Sequence, residues 1–183
     1  MPHHGSYQRP DRMNFFHGKH NKGFTLIELL VVVAIIGLLS SIVLASLSTA
    51  RAKARDAKRR EDMIQLRTAI NMYYIDNGSY PLPNPGWWGG VSTGSCGPGN
   101  GTISGAGAYI SGLTPTYISV LPVDPSPAGN CNGYLYASNG TNYKLLAHVT
   151  PESFPSVGQM FYDPMRPTWA WMICSGEPAC STW

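Results

Sequence analysis

Residues 24–50 read FTLIELLVVVAIIGLLSSIVLASLSTA, 27 positions with one charge, Glu28. A helix needs about 20 apolar residues to cross the hydrocarbon core of a bilayer, so this run is long enough to span. The apolar part of a secretory signal is shorter, usually about 7–15 residues, and ends at a small-residue cleavage site. Ser48-Thr49-Ala50 loosely resembles such a site, so a domain released after Ala50 stands as an alternative. Glu28 is the anomaly. A carboxylate costs on the order of 3 kcal/mol at the bilayer centre and less near the edge. One turn inside the run, among apolar neighbours, it reads as a charge in search of a partner.

The flanks orient the run. Residues 1–23 carry four basic side chains (Arg9, Arg12, Lys19, Lys22) and one acid, Asp11, while residues 24–183 hold nine of each sign. The net charge of +3 therefore belongs to the N-terminal tail, which should stay on the cytoplasmic side and send the rest of the chain out. Charged residues make up only 13% of the chain, against roughly 25% in ordinary soluble domains. A freely soluble cytosolic protein is a poor fit, and the neutral remainder is no electrostatic partner for nucleic acid.

Helical character continues past Ala50 with a changed surface. Residues 51–62, RAKARDAKRRED, set six basic against three acidic side chains at spacings that allow i,i+3 and i,i+4 pairs. Polar side chains just beyond a span must meet water or lipid headgroups, so this cluster needs no nucleic acid to explain it. Met63, Leu66, Ile70 and Tyr73 then form an apolar stripe that packs on something. Neither Gly nor Pro occurs between Gly37 and Gly78, and Asn77-Gly78 makes a helix stop. The expectation is one helix over about 24–77, its first half transmembrane and its second half, 51–77, amphipathic.

Composition shifts at Gly78. Residues 78–183 contain 16 Gly and 13 Pro, which forbids long helices and implies short strands joined by turns. Segment 81–107 reads as a long irregular loop with little to pack except Trp87 and Trp88. The clearest hairpin is 133–149, in which YLYAS and NYKLLAHV flank Asn139-Gly140. Residues 117–121 and 168–173 are further strand candidates. The fold class is α+β: a long N-terminal helix on a small antiparallel sheet, with long loops.

Four cysteines, Cys96, Cys131, Cys174 and Cys180, contain no CxxC pair, so zinc fits poorly. In an exported, loop-rich domain they read as two disulfides with three possible pairings. The favoured set is Cys174–Cys180 as a small C-terminal loop and Cys96–Cys131 as a larger staple.

Lys22-Gly23-Phe24-Thr25-Leu26-Ile27-Glu28 ahead of an apolar helix resembles the signal of type IV pilins and type II secretion pseudopilins. Residues 74–81, YIDNGSYP, are similar to the helix end of the pseudopilin G group. Leu121-Pro122-Val123-Asp124-Pro125 and Gly133-Tyr134 are similar to its LPxDP and GY segments. The resemblance implies cutting between Gly23 and Phe24 by a prepilin peptidase and N-methylation of Phe24. It implies that Glu28 pairs with the Phe24 amine of a neighbouring subunit and sets filament stagger, registry being the surest use of a buried pair. Residues 1–23 become a cleaved leader, 24–50 the membrane and filament-core helix, and 78–183 the head. Translation from Met13 would still supply a complete short leader.

The same resemblance implies a prepilin of the bacterial inner membrane, single-pass with its N-terminus in the cytoplasm. Its partners would be membrane lipid before assembly, an assembly platform with its ATPase, and further copies of itself in a helical filament. The leading expectation is an extracellular type IV pilus; a secretion pseudopilus and a DNA-uptake pseudopilus are alternatives. Departures from the family are Ala45, where many relatives carry a helix proline, and the acids after residue 150. Glu152, Asp163 and Glu177 are widely spaced, whereas calcium loops want dense oxygen ligands, so no cofactor is expected. Small residues Gly37, Ser40 and Ser41 allow close helix contact.

An anchored enzyme is the rival class. His148 is the lone histidine after residue 20 and falls within a strand, and no GxSxG, HExxH, P-loop or dinucleotide fingerprint occurs. Asp124 lies among prolines in a turn, where Asp makes local hydrogen bonds. Asn100-Gly101-Thr102 and Asn139-Gly140-Thr141 match a glycosylation sequon and read as turns. The five tryptophans suit core and subunit contacts better than adhesion.

Overall fold

A computed structural model describes residues 23–84, 86, 88–91, 101–126 and 132–183. Helix α1 runs Leu26–Asn77 and includes Ala45. It ends where Gly78 takes φ 70°, with the Gly78 amide donating to the Tyr74 carbonyl at 2.8 Å. That left-handed residue is the helix stop the Asn77-Gly78 pair predicts. The chain divides into two compact units, up to Leu44 and from Ala45 onward.

In the first unit every described side chain is exposed, from Leu26 through Ile35 and Leu39 to Leu44. A polar helix would tolerate this; one built of Leu, Ile and Val does not in water. It is long and apolar enough to cross a membrane.

The second unit is α+β. Strands β1 (Gly89–Gly90), β2 (Gly133–Ser138), β3 (Tyr143–His148) and β4 (Ala170–Cys174) form an antiparallel sheet in the order β1-β2-β3-β4. The β2–β3 register pairs Ser138 with Tyr143 and Tyr136 with Leu145, closed by the Asn139-Gly140 turn in which Asn139 Oδ1 accepts from the Thr141 and Asn142 amides. One sheet face presents Tyr134, Tyr136, Tyr143, Leu145, Ala147, Trp171 and Ile173, all in one buried core with Met63, Leu66, Ala69 and Ile70 of α1. Burying each such aliphatic side chain contributes about 1.5–3 kcal/mol, which holds this part of α1 to the sheet. The short helix α2 (Ala179–Thr182) packs on β3 and β4, and Cys180 within it is joined by a disulfide to Cys174. Cys96 and Cys131 lie outside the described residues.

Two expectations fail. Residues 117–121 form a turn and bends: the Leu113 carbonyl accepts from both the Tyr117 and Ile118 amides, and the Leu121 amide donates across to Ile103. Tyr117, Ile118 and Leu121 reach the core without joining a ladder, flanked by Pro115 and Pro122, which donate nothing. The stretch 81–107 is also more than a loop. It supplies β1 and a 3-10 turn, Gly105–Gly107, and delivers the fully buried Ala108, Tyr109 and Ile110 to the core. Gly89 explains the fit, since a Cβ there would collide with the Tyr109 carbonyl.

Candidate functional site

At the start of the described chain, Gly23 is exposed with open space where a side chain would stand, and Phe24 is 86% exposed. Thr25 caps the helix. Its Oγ1 accepts from the Glu28 amide at 3.2 Å, while Glu28 Oε2 accepts from both the Thr25 amide and hydroxyl at 2.9 Å. This reciprocal arrangement is a capping box, which satisfies amides that a helix start otherwise leaves orphaned. Within the helix start, Glu28 is thus already hydrogen-bonded to a residue three positions away, which meets its need for donors without neutralising its charge. Thr25-x-x-Glu28 was the signal in the sequence. Among the described residues, Oε1 of Glu28 accepts no hydrogen bond.

In the second unit the basic turns of α1 meet the head through a buried network. Arg59, fully buried, donates Nε to Asp124 Oδ2 at 2.9 Å and Nη2 to Asp124 Oδ1 at 3.0 Å, and reaches Asp56 at 2.8 Å. Arg59 also donates to the Ser126 hydroxyl, and Thr150 Oγ1 donates to Asp124 at 2.6 Å. Asp56 accepts from the Glu152 amide at 3.0 Å and the Ser153 hydroxyl at 2.6 Å; Arg55 pairs with Glu152. Burial pulls the Arg59 guanidinium down, yet the carboxylates of Asp124 and Asp56 outweigh it and hold its pKa above the ordinary value. Nearby, Lys58 pairs with Asp62 Oδ1 at 2.8 Å in a charge contact without hydrogen-bond alignment, and the Tyr134 hydroxyl donates to Oδ2 at 2.8 Å. Asp124 does make the local bond expected of a turn residue, accepting from the Ser126 amide at 2.8 Å. Its long-range grip on Arg59 carries no sequence signal, because the two positions are 65 residues apart.

The remaining candidates separate. Glu152 pairs with Arg55, Asp163 with Lys144 and Arg166, and Glu177 accepts from Ser181. Among the described residues no three His, Cys, Asp or Glu side chains gather as a metal site. Lys144 is fully buried on the far face of the sheet; burial pushes its pKa down against the opposing pull of Asp163. His148, at the end of β3, stacks edge-on against Trp169 with centroids 5.0 Å apart. Trp171 is buried and donates its indole N–H to the Ser153 carbonyl, whereas Trp169 is 43% exposed. Trp87 lies outside the described residues.

Comparison with known proteins agrees with this layout. The family model described as prokaryotic N-terminal methylation motif matches residues 18–44. Type II secretion system core protein G of Escherichia coli is 43% identical over 65 residues, 36% of this chain and 45% of that protein. The same-named protein of Klebsiella pneumoniae is 36% identical over 107 residues, 58% of this chain and 70% of that protein. That of Pseudomonas aeruginosa is 32% identical over 125 residues, 67% of this chain and 78% of that protein. Against the Escherichia coli relative the chain thus spans less than half the relative's length. No solved structure matches.

Proposed function

Since this chain belongs to the family of type II secretion system core protein G, we propose that it is the pseudopilin of a protein-secretion filament. It is a structural subunit and not an enzyme. The relatives favour the secretion pseudopilus, the alternative in the sequence reading, over the extracellular pilus that led it.

One observation carries the reading: between Leu26 and Leu44 the helix buries none of its apolar side chains. A surface of this kind must be covered from outside, by lipid before assembly and by other copies of the same helix afterwards. In this proposal residues 1–23 are removed by a prepilin peptidase, Phe24 becomes the methylated N-terminus, and residues 24–50 anchor the monomer in the inner membrane with the leader in the cytoplasm. Residues 51–77 and the head, 78–183, stand on the far side. Glu28 then offers its carboxylate to the Phe24 amine of a neighbouring copy. The capping box supports this, because it holds the carboxylate at the helix start with Oε1 still able to accept.

Release of proteins to the medium tests the reading. Cells lacking this chain should hold back, in the periplasm, proteins that the parent strain releases. Unchanged release with loss of surface fibres would assign the chain to a type IV pilus instead.

A further inference from the structure

Thr49, Lys53, Asp56 and Arg60 succeed one another at spacings of four, three and four along α1, so they share one face of the helix. Together with Ala52, Glu152 and Ser153 they line a groove of about 230 Å³ in the second unit. Its carboxylates are already matched. Asp56 is held by Arg59, the Ser153 hydroxyl and the Glu152 amide, and Glu152 by Arg55. Its cations are not. Among the described residues neither Lys53 nor Arg60 forms an ion pair, and the Arg60 guanidinium lies 5.0 Å over the Trp171 ring.

Lys53 stands three residues beyond Ala50, where the apolar run ends, about 4.5 Å further along the axis. If residues 24–50 span the bilayer, this is the depth of lipid headgroups. We propose that Lys53 and Arg60 hold the phosphate of a membrane phospholipid in this groove. A guanidinium and an ammonium on one helix face suit a phosphodiester anion. The groove rests on the membrane-span reading alone and does not require a filament.

The test uses the full chain in an uncharged detergent, offered phosphatidylethanolamine, with retained lipid read by native mass spectrometry. The wild-type chain should keep phosphatidylethanolamine and not diacylglycerol, which lacks the phosphate. Lys53→Gln and Arg60→Gln should each lower retention roughly fivefold, the scale of one cation at a membrane surface. Arg51→Gln is the charge-matched control, at similar depth but about 200° round the helix from Lys53, and should retain lipid as the wild type does. Unchanged circular dichroism melts confirm that the variants fold.

Equal losses in Arg51→Gln and Lys53→Gln would show diffuse attraction and overturn the groove. So would equal retention of diacylglycerol. Inorganic phosphate that displaces the lipid at comparable concentration would make a soluble anion the ligand and overturn the lipid assignment. A wild-type chain that takes up neither lipid would overturn the groove, whereas failure of the chain to partition into phospholipid vesicles would overturn the span reading on which it rests.

Discussion

Arg59 and Asp124 face each other through two parallel hydrogen bonds, Nε to Oδ2 at 2.9 Å and Nη2 to Oδ1 at 3.0 Å, with both side chains buried. One comes from the second half of α1 and the other from the LPVDP turn of the head. The pair therefore registers the head on the helix: a slide of one residue along α1 would rotate Arg59 by about 100° away from its partner.

Asp124→Ala takes from the buried Arg59 its two-bond partner and leaves it Asp56 alone, and should cost about 3 kcal/mol, the low end of the scale for breaking a buried pair. For a unit of this size that is a fall in Tm of roughly 10 °C. Replacing both residues together, Arg59→Met with Asp124→Leu, should recover only part of the loss, because the buried Asp56 carboxylate loses its Arg59 partner as well. A double-mutant cycle by thermal melts in detergent measures the coupling; additive losses would show that the pair is not the unit that matters.

The capping box separates two duties of Glu28. Thr25→Val removes a cap and should cost about 1 kcal/mol of local helix stability while leaving the carboxylate charged. Glu28→Gln keeps an oxygen that can accept from Thr25 and removes the charge. If Glu28 serves assembly through its charge, Glu28→Gln should be cleaved normally yet fail to form filaments, with Thr25→Val only mildly impaired. Immunoblots for processing and electron microscopy for filaments read the two steps apart. Equal defects would assign the effect to the cap.

Alkaline pH should unfold the head steeply. Burial raises the phenol of Tyr143 to about 12, and those of Tyr109, Tyr134 and Tyr136 also rise above the ordinary value of 10. Below pH 10 these phenols are neutral in both folded and unfolded chains, so their contribution is fully present. As pH climbs from 10 toward 12, the unfolded chain releases protons that the folded chain keeps, and each tyrosine withdraws about 1.4 kcal/mol per pH unit. Phenolate absorbance should thus appear together with loss of circular dichroism; phenolate forming with the fold intact would show these side chains to be accessible.

The Cys174–Cys180 bridge spans six positions, so opening it frees little chain entropy. Cys174→Ser with Cys180→Ser should cost about 2 kcal/mol, and the loss should centre on α2 and the end of β4. Hydrogen exchange in that segment checks it, with protection of residues 63–70 on α1 expected to persist.

Much of this layout was legible because it is written in local pattern. The 27-residue apolar run, the Met63, Leu66 and Ile70 stripe, the Asn77-Gly78 stop and the Asn139-Gly140 hairpin each depend on neighbours within a few residues. Residues 117–121 misled because an apolar segment reaches the core equally well as a turn. Ala108–Ile110 went unseen because their burial depends on glycines of a different segment, Gly89 and Gly101, letting backbones close on Tyr109. The Arg59–Asp124 grip is a tertiary fact with no period to betray it. The capping box at Thr25 and Glu28, by contrast, is as local as the hairpin and the helix stop, a Thr-x-x-Glu pair at a helix start.

The central claim is that Gly23 and Phe24 are parted and that the chain then lives as a methylated, helix-anchored subunit. The mass of the N-terminal peptide of the protein recovered from its own cells tests it most directly. A peptide beginning at Phe24 and heavier by one methyl group is the predicted result. A peptide beginning at Arg51 would mean an ordinary signal sequence and a released domain, and would contradict the account.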